Sequence, residues 1–135
     1  MDDHRKAELR RSLERELESH VPVASSEPWI RAIWLAEQLE NYVERWLAFC
    51  ALPAIPMPAL LNDDLFAMIE CGAAAFGDAI RRLPDESELQ VRWSRFAALL
   101  ADVRANADRA RANELRGALA EVLLRLRARS RLASM

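Results

Sequence analysis

The residues of this chain best suited to chemistry are few and scattered. Its two histidines, His4 and His20, lie in or beside a charged N-terminal stretch. Glu16 and His20 stand four residues apart, which places them on one face of a helix. Two groups do not make a zinc site, and no Glu-x-x-His or His-x-x-x-His pair supplies more. No metal and no cofactor is therefore expected. Gly72, Gly77 and Gly117 are isolated within helical stretches and build no phosphate-cradling loop. No Cys lies near a His in the sequence. Asp63 and Asp64 fit the start of a helix, where the dipole favours acids. Glu70, beside Cys71, falls off the apolar face and reads as a solvated carboxylate. Nothing in these spacings names a catalytic residue.

Four Trp and one Tyr are the most unusual feature of the composition. Trp34, Tyr42, Trp46, Phe76 and Trp93 could line a pocket for an apolar or cationic ligand. Core packing is the simpler account for Trp46 and Trp93, because aromatic rings bury large areas. Trp29 stands at a helix start, where the apolar strip is still narrow, and is the best single candidate for an interface anchor.

The third chemical signal is charge. Residues 1–20 carry five basic and six acidic side chains, residues 21–103 six and twelve, and residues 104–135 eight and three. The net charge of −2 thus hides a basic C-terminal stretch on an acidic body. Arg125, Arg127, Arg129 and Arg131 finish that stretch and could contact phosphates. The helix dipole also favours Arg there, and no aromatic residue is interleaved to stack on bases.

These residues must be positioned by helices. Ala, Leu, Glu and Arg dominate, Thr is absent, and Gly numbers three in 135 residues. An all-α fold follows: a small up-and-down bundle of four to five helices in one domain spanning 1–135. The first helix covers about 3–19 and repeats Leu9, Leu13 and Leu17 on a narrow stripe before Pro22. The second covers about 26–52, with Ser26 as cap and Pro28 in its first turn. It is apolar over most of its circumference and belongs at the centre. Pro53, Pro56 and Pro58 make an extended connection that crosses the end of the bundle. Asn62 caps a third helix that Pro84 breaks. Asp85 caps a fourth, with Leu89, Trp93, Phe96, Leu99, Leu100 and Val103 on its buried face. A break is expected near Asn106, and a last helix over about 110–129. Ala112, Leu115, Leu119, Val122 and Leu126 step by 3, 4, 3 and 4, the spacing of a coiled-coil seam. The first helix and the tail, about 127–135, are expected at the periphery.

Cys50 and Cys71 fall roughly 10 Å out of register along antiparallel helices, too far for a disulfide. Free, buried thiols are expected. The charged N-terminus carries no signal peptide pattern, and no apolar run is long enough to span a bilayer, so a cytoplasmic protein is expected. The Arg-for-Lys skew suggests a high-GC bacterial genome. Taken together, the pattern favours a non-enzymatic binding protein: an adaptor, a chaperone-like factor or a regulator. Its partner would be another protein or a second copy. The seams Leu9, Leu13, Leu17 and Leu115, Leu119, Val122, Leu126, with Trp29, are the candidate partner surface. Two alternatives remain: a small-ligand-binding bundle or small helical enzyme that uses the aromatic pocket, and a nucleic-acid-binding protein that uses the arginine arm.

Overall fold

A computed structural model describes residues 3–20, 28–83 and 87–133. They form six α-helices and, among the described residues, no strand: α1 (Asp3–His20), α2 (Pro28–Cys50), α3 (Met57–Leu61), α4 (Asp64–Arg81), α5 (Ser87–Asn106) and α6 (Arg109–Ala133). The expected caps Ser26 and Asp85, and the breakers Pro22 and Pro84, lie outside the described residues.

The sixth helix comes from the proline-rich connection. Pro53, Pro56 and Pro58 end α2, but two of them also start a new helix. Pro56 is the N-cap of α3 with extended backbone, and Pro58 sits in the first turn. A proline there sacrifices nothing, since the first N–H groups of a helix have no partner within it. Met57, Leu60 and Leu61 of α3 are buried. Asn62 is consequently the C-cap of α3 and not the N-cap of the next helix. That cap is Asp63, whose side chain accepts the Leu65 N–H at 2.8 Å.

The break near Asn106 is present. Ala107 takes a left-handed conformation at φ 52° and donates its N–H to Val103 O at 2.9 Å, closing α5. Asp108 then caps α6 by accepting the Ala110 N–H at 2.8 Å. The last helix continues to Ala133, four residues past the expected end.

α2 packs against α4 and α6 extensively and against α1 and α3 more lightly, which makes it the hub. α5 and α6 form the other extensive pair, and α1 rests mainly on α4. Neighbours among α2, α4, α5 and α6 run antiparallel. Trp46 meets Phe66 while Leu39 approaches Gly72, so α2 descends as α4 rises. Glu88 meets Arg125 while Asp102 meets Arg111, which sets the same relation for α5 and α6. One continuous cluster of buried apolar side chains runs from Leu13 to Leu126. Its largest fully buried members are Trp46, Phe66, Phe76 and Phe96. Cys50 and Cys71 are both free and buried in it. No helix among the described residues is long and apolar enough to cross a membrane.

Candidate functional site

The two expected partner seams are used inside the chain. Leu13, Leu115, Leu119, Val122 and Leu126 are each at most 1% exposed. They have no surface to present to another chain. The reason is the fold itself: the 3–4 seam of α6 is the stripe that α2 and α5 enclose. Leu9 is partly buried against the same core, and Trp29 packs on it as well. The side chain of Leu17 lies outside the described residues.

The five aromatic residues also pack as core. Trp46 and Phe66 approach to 4.9 Å between ring centroids. Trp93 meets Phe76 edge-on at 5.1 Å and stacks on Phe96 at 5.3 Å. Tyr42 is buried, and Trp34 is partly buried against the cluster. The clefts described below have none of the five in their walls.

The C-terminal arginines do not form one patch. Residues two apart on a helix point about 200° apart. Arg125 therefore turns towards α5, where it pairs with Glu88 at 3.3 Å, and Arg127 turns towards α2, where it lies 3.8 Å from Glu37. Arg129 and Arg131 also have interaction partners. Arg127 and Arg131 border a shallow cleft with Glu40 and Leu124. The acidic body thus answers the basic helix from both sides.

Glu70 is more than a solvated carboxylate. It stands between Lys6 of α1 and Arg104 of α5, 3.7 Å from each. Arg104 also donates to Leu61 O at 2.8 Å and covers the Phe66 ring at 5.3 Å. The side chain of His20, and with it the Glu16–His20 pair, lies outside the described residues. Among the described residues no three His, Cys, Asp or Glu side chains gather where they could hold a metal ion. Burial pushes the Cys50 thiol up from its ordinary range, opposed in part by Arg109. Burial does the same at Cys71, opposed by Arg10 and Lys6. Thiols held protonated in this way are poor nucleophiles.

Ile30, Phe49, Leu52 and Leu124 are exposed singly on α2, after it and on α6, whereas the outer face of α5 is a regular exposed stripe of small and apolar residues. Val91 is 63% exposed, and Ser94, Ala98, Ala101 and Ala105 are exposed with it. These five step by 3, 4, 3 and 4, a second seam opposite the buried face of Leu89, Phe96 and Val103. Arg95 and Asp102 flank it on one edge, seven residues apart. On the other edge, Ala97, Leu100, Ala101 and Ala105 face Ala73 of α4 across an open apolar groove of about 410 Å³ that ends at Glu70 and Arg104. The signal was present in the sequence as regular small residues. Alanine is so common in helices that the spacing was overshadowed by the large side chains of the buried face.

No family model, no curated protein and no solved structure matches this chain.

Proposed function

We propose that the protein is a non-enzymatic binding module that works through helix-to-helix contact, and that its first partner is a second copy of itself joined at the outer face of α5. The fold reads accordingly as an up-and-down bundle of α2, α4, α5 and α6, with α1 and α3 added to it and one helix face left over. The exposed seam Val91, Ser94, Ala98, Ala101, Ala105 carries the reading. Small side chains let two helices approach closely, and a 3–4 repeat meshes best with another like it.

The flanking charges favour an antiparallel copy. A two-fold axis passing near Ala98 brings each Arg95 towards the other chain's Asp102. Arg95 is exposed and Asp102 half-buried, and both are already paired within the chain, Arg95 with Glu121 and Asp102 with Arg111, each at 3.0 Å. Exposed pairs of this kind contribute little, so exchanging partners costs little. One pair of 20-residue helices is at the small end of specific interfaces, so association should be weak and concentration-dependent. A regulator or adaptor suits that behaviour better than a permanent assembly does.

Sedimentation equilibrium over a wide concentration range tests this. The wild-type chain should show a monomer–dimer equilibrium, and Ala98→Glu, which sets like charges on the axis, should be monomeric throughout. Arg95→Asp should weaken the dimer, and adding Asp102→Arg should restore it. A wild-type chain that is monomeric at every concentration, or a dimer indifferent to Ala98→Glu, removes the reading.

A further inference from the structure

A second surface, away from α5, has the chemistry of a small-molecule site. α1, α2 and α4 enclose an open cleft of about 230 Å³, walled by Arg10, Glu14, Pro28, Arg31, Leu35, Ala75, Asp78, Ala79 and Arg82. Its apolar surface comes from Pro28, Leu35, Ala75 and Ala79, and its charges are three guanidinium groups and two carboxylates. The carboxylates are occupied. Glu14 lies 3.4 Å from Arg10, and Asp78 lies 3.9 Å from Arg10 and is bonded by Arg81 from its own helix. Arg31 and Arg82 make no ion pair among the described residues. Two guanidinium groups, those of Arg31 and Arg82, are therefore left over at the rim.

The placement of Arg31 sharpens the point. It belongs to the first turn of α2, which holds no acid among the described residues, so the positive end of the helix dipole and a partly buried arginine stand together there. A cation there is opposed by its own helix unless an anion joins it. Arg82 differs, because it is the C-cap of α4, where the dipole accepts a cation.

From these groups we infer that the cleft binds a small organic monoanion: an apolar body against Leu35, Ala75 and Ala79, ending in a carboxylate between Arg31 and Arg82. Guanidinium groups match a carboxylate in shape and charge. The apolar wall of Leu35, Ala75 and Ala79 offers a phosphate dianion no donors and suits the body of an organic carboxylate. The size sets an upper limit. Ligand sites usually run from about 300 Å³ upward, and about 30 Å³ is one water's share, so the cleft holds roughly eight waters' worth of ligand. A benzoate or a short acyl carboxylate is of that size.

The test is an amide-resonance titration of the full chain with four probes: benzoate, hexanoate, benzamide and inorganic phosphate. Benzoate or hexanoate should produce saturable shifts at Leu35, Ala75 and Ala79. Benzamide and phosphate should not saturate in the same range. Arg31→Gln and Arg82→Gln should each weaken binding about tenfold, the loss of one charge-assisted hydrogen bond. Ala79→Leu, which fills the wall and keeps both arginines, should abolish it. The inference is overturned by absent shifts with both carboxylates, by benzamide or phosphate binding as well as they do, or by folded variants that bind like wild type. Neither result bears on the α5 dimer, which is measured by sedimentation in the absence of ligand.

Discussion

The indole N–H of Trp46, in the middle of α2, donates to the backbone carbonyl of Leu60 in α3 at 3.0 Å, out of reach of solvent. A five-residue helix has almost no stability of its own. Here its last turn is held by the largest side chain of the core. Trp46→Phe keeps much of the ring contact with Phe66 and deletes the donor, leaving the Leu60 carbonyl with the Asp63 N–H at 3.2 Å alone. Urea unfolding should show a loss of about 0.5–1.5 kcal/mol. A loss below the resolution of the method would mean that the Asp63 N–H satisfies the carbonyl by itself.

Arg109, the first residue of α6, serves the same junction from the other side. Its Nε donates to Cys50 O at 2.9 Å, and one of its Nη atoms reaches Leu52 O at 3.3 Å and also Ile55 O. These carbonyls end α2 and begin the connection to α3, where the helix dipole is negative and the chain has run out of helical donors. Arg109→Ala should cost on the order of 2–3 kcal/mol in thermal or urea unfolding, the range for bonds from a charged donor. Arg109→Lys should recover less than half, because one ammonium cannot reach three carbonyls from the same position. Full recovery by lysine would show that charge alone matters there.

Much of this junction could not be read in the sequence. The helices themselves were legible, because the 3.6-residue apolar pattern of α2 and α4 and the caps around Asn106 to Asp108 are local signals. The role of Pro56 and Pro58 was ambiguous, since the same residues stop one helix and permit the next. The candidate surfaces were less legible still. The four-residue repeat of Leu9 and Leu13 and the 3–4 repeat of Leu115 to Leu126 fit a partner helix or a neighbour in the same chain equally well, and only the packing of α1 on α4 and of α2 and α5 around α6 decides between them. The cleft at Arg31 and Arg82 joins residues 51 positions apart on separate helices, and no spacing marks it.

Tyr42 is the only tyrosine and is buried on the hub helix, so its titration can be followed without interference. Burial, reinforced by the charge of Glu16 and opposed by Arg45, pushes its phenol up from 10.0 to about 12. The unfolded phenol ionises near its ordinary value, so between about pH 10 and pH 12 the folded state keeps a proton that the unfolded state has lost. The stability contributed by the neutral phenol is full below that window and falls as pH rises through it. The raised thiols of Cys50 and Cys71 act with the same sign from about pH 9 upward. Tyrosinate absorbance should rise near pH 12, or abruptly with unfolding before that. A reversible midpoint near pH 10 in folded protein would place Tyr42 in contact with water.

The three glycines separate helix propensity from packing. Each lies in a helix with negative φ, where alanine is favoured by about 0.5–1 kcal/mol. A methyl at Gly117 would meet nothing within 4 Å, so Gly117→Ala should gain the full amount. At Gly72 the nearest atoms belong to Leu39 and Tyr42 at 3.5 Å, ordinary contact, and most of the gain should survive. At Gly77 the methyl would stand 3.3 Å from the indole nitrogen of Trp93. That ring is wedged between Phe76 and Phe96, so it cannot retreat without disturbing both. Gly77→Ala should therefore gain least or lose stability. Thermal unfolding of the three variants should rank them Gly117, Gly72, Gly77. Equal gains at Gly117 and Gly77 would mean that Trp93 is free to move, and the aromatic stack between α4 and α5 would have to be reconsidered as a loose contact.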